Sequence, residues 1–513
     1  MNGAESLVRT LLACEVDTCF ANPGTSEMHF VAALDAVPGM RCVLGLAEGV
    51  VGGCADGYAR MSGKPAATLL HCGPGLGNAI ANLHNAKRAR VPLVNIVGDH
   101  ATYHQAFDPP LAYDVEGLAR TVSHWVRTAT QPGRVGERAA QAVCSARTPP
   151  GQIATLVLPA DASWLEGGVV ADPIAPPRRN TVDASIVDDI ARVLRRGERT
   201  IVLLGDESLG ERGLVAAQRV AQASGATLIA TPQVRRIARG RGRPAVNRVP
   251  YALEPALKVF EGVRHIVLVG AKPPVQFFAY PGKPSVVYPP ESELHTLAAL
   301  DEDQVGALEM LAEVLSAAKQ VASPPAARDG AMPRGAFTPE AFGGMFERLI
   351  PEDAVVVDDA VTSGRQLFGH TFGAAPHDWL QITGGAIGFA LPCATGAAIG
   401  APGRKVVCLQ ADGGGMYSLQ ALWTQAREGL DVVTVIFANR RYAILQGELM
   451  AVGATPGRAS KDLFDIGRPD LDWVKLAQGM GVEARRVDVL EDFADVFSAA
   501  CARRGPFVIE MRI

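Results

Sequence analysis

The chain has 513 residues, 48% hydrophobic and 20% charged, which is enough apolar material for about three packed domains and excludes disordered or collagen-like organisation. With 49 Lys and Arg against 53 Asp and Glu, the net charge of −4 gives no basic excess for nucleic acid or an anionic membrane surface. The 9 cysteines are odd in number and lack a CxxC pair, so we read them as small buried apolar residues in a reduced, cytoplasmic setting.

The first residues, MNGAESLVRTLLACEVD, carry acids and read as an amphipathic helix, not a secretion signal. Short apolar runs at 16–21, 41–46, 66–70, 93–97 and 153–158 read as buried strands. They alternate with helical patterns at 27–36, 48–61 and 76–89. Such alternation predicts parallel α/β sheets. A Pro-rich linker at 164–184 follows, then a second α/β unit with strands at 200–204, 226–230, 265–269 and 285–287. The spacing of Gly205, Gly210 and Gly213 is not GxGxxG, which argues against a dinucleotide fingerprint. Residues 319–338 form a second linker. A third unit has strands at 354–357, 405–410, 432–437 and 507–511. The expected class is α/β, with three doubly wound parallel-sheet domains at 1–163, 185–320 and 339–513. The stretch 379–403 has no charged residue, but its six glycines and Pro392 and Pro402 predict a Gly-rich turn feeding a doubly buried helix, not a membrane span.

The strongest chemical signal lies in the third unit. The run KVVCLQ leads into Ala411-Asp412-Gly413-Gly414-Gly415, and VVTVIFA leads into Asn439-Arg440-Arg441. Asp412 and Asn439 are 27 residues apart, each at the carboxyl end of a predicted parallel strand, where open α/β sheets bind ligands. A carboxylate and a carboxamide oxygen suit Mg²⁺, and the glycines would let backbone N–H groups approach a diphosphate.

Here the sequence resembles the thiamine diphosphate (ThDP) enzymes of the 2-oxo acid decarboxylase and acetolactate synthase superfamily. Ala411 and Ala438 replace the first Gly of that family's GDG and the first Asn of its NN, but the ligand pair is kept. Asn22-Pro23-Gly24-Thr25-Ser26-Glu27, Glu48 with the following ADGYAR, Gly73-Pro74-Gly75-Leu76-Gly77-Asn78, and Gly384-Gly385-Ala386-Ile387-Gly388-Phe389 match further motifs in order.

The resemblance implies ThDP and Mg²⁺ as cofactors. Asp412, Asn439 and the Arg441 carbonyl would hold the metal, with Gly413 and Gly414 beside the diphosphate. The Gly385 carbonyl would accept from the 4′-amino group, Ile387 would prop the cofactor, and Glu48 would act at the pyrimidine N1′. It also implies a homodimer or homotetramer with active sites at the interface. His71 and Thr25 stand where benzoylformate decarboxylase-like enzymes carry a catalytic histidine and a serine that contacts the substrate carboxylate. The second histidine of that branch is missing, with Phe277 or Phe278 in its place; His100 and His104 are candidate substitutes. Phe277, Phe278, Tyr280 and Tyr442 suggest a bulky or aromatic substrate side chain. FAD is not expected, because the segments that bind it in acetolactate synthases are not found. The expected reaction is decarboxylation of a 2-oxo acid to an aldehyde, with an acetolactate synthase-like carboligase as the alternative. Ala47, Ala411 and Ala438 also motivate a catalytically degenerate regulatory paralogue.

Overall fold

The computed structural model describes residues 1–319 and 330–513. Of the expected second linker, residues 320–329 therefore lie outside the described residues. Among these, three parallel-dominated sheets are flanked by helices. The first has strands β1 (Thr18–Asn22), β2 (Arg41–Leu44), β3 (Ala66–Leu70), β4 (Leu93–Asp99), β5 (Trp125–Thr128) and β6 (Ile153–Pro159), in spatial order β2-β1-β3-β4-β6-β5. Strands β4 and β6 are buried along their whole length, as expected of a parallel sheet covered on both faces.

The second sheet takes β7 (Thr200–Leu204) and β8 (Thr227–Ala230). After these comes β9 (Ile237–Arg239), which leaves that sheet, followed by β10 (Asn247–Arg248), β11 (His265–Val269) and β12 (Glu293–Ala298); the order is β10-β8-β7-β11-β12. The third is built from β13 (Ala354–Asp359), β14 (His377–Gln381), β15 (Val406–Ala411), β16 (Val432–Ala438), β17 (Glu483–Val487) and β18 (Phe507–Arg512). Its order is β17-β18-β16-β15-β13-β14-β9. The borrowed β9 pairs antiparallel with β14, so a segment from the middle of the chain completes the C-terminal sheet.

Two sequence expectations need correction. Residues 285–287 are not a strand: Val286 makes one isolated antiparallel bridge to Val275, and the edge position belongs to β12, whose half-exposed sequence ELHTLA lacks a continuous apolar run. The helix expected from residue 76 begins at Cys72, so the glycine loop 73–78 forms its first turns.

The uncharged stretch becomes β14, a turn, and the helix Ala390–Gly400, in which Ala390 through Ile399 are all buried. No helix among the described residues is long and apolar enough to cross a membrane. This helix crosses the helix Glu48–Ser62 at a glycine-lined contact. A Cβ at Gly57 would lie 1.9 Å from the Cys393 carbonyl oxygen, and one at Gly396 would lie 1.8 Å from that of Cys54. The backbones meet where side chains would otherwise stand. One turn on, the fully buried Arg60 donates 2.7 Å bonds to both carboxylate oxygens of Asp56 and a 2.8 Å bond to the Gln381 carbonyl. The ADGYAR motif thus supplies a close-approach glycine and a buried ion pair, and locks the N-terminal unit against the C-terminal sheet.

Candidate active site

Asp412 directly follows strand β15, and its side chain is almost wholly buried. Its Oδ1 accepts from the Gly413 N–H at 2.8 Å and its Oδ2 from the Arg440 N–H at 2.6 Å. Burial raises its pKa, while these N–H donors act in the opposite direction. Asn439, at the end of the neighbouring β16, accepts from the Arg441 N–H at 3.0 Å. Both side chains keep oxygen lone pairs that a hard cation could take. Arg440, directly after Asn439, has a left-handed φ of +57°, a costly conformation for a side chain of this size. Gly413 and Gly414 form a cradle that side chains would fill: a Cβ there would lie 2.6 Å from the Tyr442 ring and 2.8 Å from Gln410 Nε2, respectively.

The turn after β14 faces the same region. Gly385 holds a φ of +77°, which favours glycine. Buried Asn85 clamps the turn from the Cys72–Arg88 helix. Its Oδ1 accepts from the N–H groups of Gly384 (3.1 Å) and Ala386 (3.2 Å), and its Nδ2 donates to the Ala386 carbonyl at 2.8 Å. From the other side, Asp359 Oδ2 accepts from the N–H groups of Gly388 and Phe389 at 2.9 and 3.0 Å. Burial pushes the Asp359 carboxyl up to about 7.

Gly385 and Ile387 line a cleft of about 480 Å³, together with Phe277, Phe278 and Tyr442. Its wall also holds residues that the sequence did not suggest: Arg248, Tyr251, Asp359, Arg365 and Glu448. Tyr280 is not among the residues lining the cleft but donates to Glu448, which is, at 2.6 Å; Tyr251 donates to the same carboxylate at 3.2 Å.

The N-terminal candidates form a separate constellation, and Glu48, His71 and Thr25 do not line this cleft. Glu48 opens its helix half-buried and accepts from Asn78 Nδ2 at 3.1 Å. His71 caps the Cys72–Arg88 helix. Its Nδ1 lies 2.8 Å from Glu27 Oε2 and 3.1 Å from Ser26 Oγ. Glu27 is buried and also accepts from the Gly24 N–H at 2.7 Å, so a carboxylate fixes the His71 ring. Glu27 lay within a recognised motif, but nothing in the sequence paired it with a residue 44 positions away. Thr25 is exposed in the 3₁₀ turn Thr25–Glu27. His100 and His104 pack ring to ring at 5.7 Å and do not line the cleft.

Comparison with known proteins accounts for this division. The N-terminal binding domain of thiamine pyrophosphate enzymes matches residues 1–123, and their C-terminal binding domain matches residues 365–511. "Putative acetolactate synthase large subunit IlvX" of Mycobacterium tuberculosis is 50% identical, over 100% of this chain and 99% of its own length. The chain belongs to the thiamine pyrophosphate enzyme family. Its likeness extends to benzoylformate decarboxylase of Pseudomonas aeruginosa, 27% identical over 96% of this chain and 95% of that protein. The solved thiamine diphosphate-dependent 4-hydroxybenzoylformate decarboxylase of Rhodococcus jostii superposes with a TM-score of 0.83 at 25% identity, covering 100% and 99% of the two chains.

As a thiamine pyrophosphate enzyme, the protein has features that fit the cofactor. Gly413 and Gly414 present backbone with no side chains beside Asp412, the Asp412 and Asn439 oxygens suit a hard cation, and the clamped Gly385–Ile387 turn borders an apolar cleft.

Proposed function

We propose that this thiamine pyrophosphate enzyme is a Mg²⁺-dependent lyase that decarboxylates a 2-oxo acid with a bulky or aromatic side chain and releases an aldehyde. The observation that carries the reading is the Ser26–Glu27–His71 constellation: a histidine oriented by a buried carboxylate at the amino end of a helix. ThDP supplies a nucleophilic carbon for the 2-carbonyl and a sink for the electron pair left when CO₂ departs. The protein's residues bind, orient and move protons. Asp412, Asn439 and the Arg441 carbonyl hold Mg²⁺, and Gly413 and Gly414 offer backbone to the diphosphate. The Gly385 carbonyl accepts from the 4′-amino group, Ile387 props the ring system, and Glu48 holds a proton at the pyrimidine N1′. His71 delivers a proton to the reacting carbon, and the Thr25 hydroxyl meets the substrate carboxylate. Because Glu48 and His71 stand apart from the cleft of their own chain, the reading includes a dimer in which one chain's N-terminal constellation closes the other's cleft.

The test is a panel of 2-oxo acids with ThDP and Mg²⁺, measuring CO₂ and aldehyde, run beside His71→Ala. The variant is expected to release aldehyde at least about tenfold more slowly, a barrier rise of about 1.4 kcal/mol, with cofactor C2–H exchange near wild type. Equal aldehyde release would remove His71 from the mechanism. The 50% identity to a protein named acetolactate synthase supports a second reading, in which a second carbonyl captures the acyl group. CO₂ release with an acetohydroxy acid in place of aldehyde would establish it. A folded, ThDP-bound protein inert toward every acid would favour the degenerate paralogue.

A further inference from the structure

Outside the cleft lining, the amino ends of three adjacent strands bring together His265, Glu293, His295 and Glu198. His265 opens β11, and Glu293 and His295 lie on its parallel neighbour β12, with His265 in register with Glu293 and Val267 with His295. Glu198 stands two residues before β7, which flanks β11 on the other side. None of the four lines the cleft.

Three donor atoms form a triangle. His265 Nδ1 lies 3.2 Å from His295 Nε2 and 3.5 Å from Glu293 Oε2, and His295 Nε2 lies 3.8 Å from the same oxygen. Ligands held about 2.0–2.1 Å from a tetrahedral metal sit about 3.4 Å from one another, so one ion within bonding distance of all three needs little rearrangement. The Glu293 carboxylate is a poor hydrogen-bond partner at these separations. The other nitrogen of His265, Nε2, lies 2.8 Å from Glu198 Oε2. That contact fixes the tautomer with the proton on Nε2 and leaves the Nδ1 lone pair facing the triangle, the carboxylate–histidine–metal arrangement. The His265 side chain is buried at 3% exposure, whereas His295 at 21% and Glu293 at 60% leave a fourth position open to water.

We propose that His265 Nδ1, His295 Nε2 and Glu293 form a divalent transition-metal site of the zinc class, supported by Glu198, which staples the amino ends of the central sheet's strands. Two imidazoles and one carboxylate suit Zn²⁺ or Co²⁺ better than Mg²⁺.

The test uses untagged full-length protein, stripped with chelator and then loaded with ThDP and excess Mg²⁺, titrated with Co²⁺ and competed with Zn²⁺. The expected result is one equivalent of Co²⁺ with the intense visible bands of a four-coordinate ion, displaced by Zn²⁺, and a Zn²⁺-dependent rise in Tm. His295→Ala and Glu293→Gln, both at exposed or half-exposed positions, are each expected to weaken binding at least tenfold. Glu198→Gln is expected to weaken it about 10–100-fold through the lost orienting contact. Asp412→Ala should leave it intact. Absence of stoichiometric binding, or an isotherm unchanged in His295→Ala and Glu293→Gln, would overturn the site and leave a proton-bridged histidine pair.

Discussion

Asp359 offers a sharp electrostatic test because its charge state couples the site to the stability of the fold. It ends β13 fully buried. Its Oδ2 accepts from Gly388, Phe389 and Gln410 Nε2 at 2.9, 3.0 and 3.2 Å, while Oδ1 has no partner among the described residues. Burial lifts its pKa from the usual 3.8 to about 7, against the pull of these donors. Between those values the folded protein holds a proton that the unfolded chain has released. Stability therefore falls as pH rises from about 4 to about 7, and is flat above. At 1.36 kcal/mol per pH unit the span amounts to up to about 4 kcal/mol. Asp359→Asn cannot ionise and keeps an oxygen for the Gly388 and Phe389 N–H groups. Its stability relative to wild type is expected to rise by up to about 4 kcal/mol between about pH 4 and pH 8. Denaturant titrations of both cofactor-free proteins across that range measure the difference directly. Parallel pH profiles would show that the carboxyl titrates normally in the fold, and the reasoning would fail.

Further outcomes follow from the same geometry. Glu48→Gln is expected to lose nearly all turnover while still binding ThDP, with slow C2–H/D exchange by NMR; wild-type exchange would exclude Glu48. Asp412→Ala should weaken ThDP binding when Mg²⁺ is limiting, since the diphosphate charge loses its bridge; unchanged affinity by calorimetry would reject the ligand assignment. Gly57→Ala drives a methyl against the Cys393 carbonyl, and a thermal melt should show a loss of about 1–3 kcal/mol or more. Gly447→Ala, in the helix Ala443–Ala451 with open space around it, should be neutral or mildly stabilising, so equal losses in both would remove the close-contact explanation.

What the sequence made legible were features encoded within short windows. The strands 66–70, 200–204 and 265–269 have the bounds expected from their apolar runs, because a strand covered on both faces has few ways to be anything else. The edge strand β12 has polar residues along much of its length and was missed, as was β9, three residues whose pairing partner lies 138 or more positions away. The placement of Asp412 and Asn439 was legible because β15 and β16 are adjacent and parallel and bring both to the carboxyl ends of neighbouring strands. Asn85 was not: its task is set by the turn at Gly384–Ala386, 299 residues later in the chain, and no local pattern separates a clamping asparagine from a solvent-facing one.

The cleft wall shows the same limit in its most consequential form. Arg248 ends the central sheet's edge strand β10 and Tyr251 follows it, Phe277 and Phe278 come from the irregular segment after β11, Arg365 follows β13, and Glu448 sits on the helix after β16. The aromatic pair was visible as composition, whereas the charges were not, since an arginine in a loop is usually solvated. Assembly changes their meaning. Glu448 is engaged by two tyrosine hydroxyls, and the Arg365 guanidinium stacks on the Tyr251 ring at 4.9 Å. Arg248 is desolvated enough to depress its pKa, with one terminal nitrogen unpartnered among the described residues. The sequence singled out Gly385 and Ile387, which line part of the cleft, through a motif with fixed spacing. The other wall has no such constraint on spacing, so its chemistry emerges only when distant segments converge.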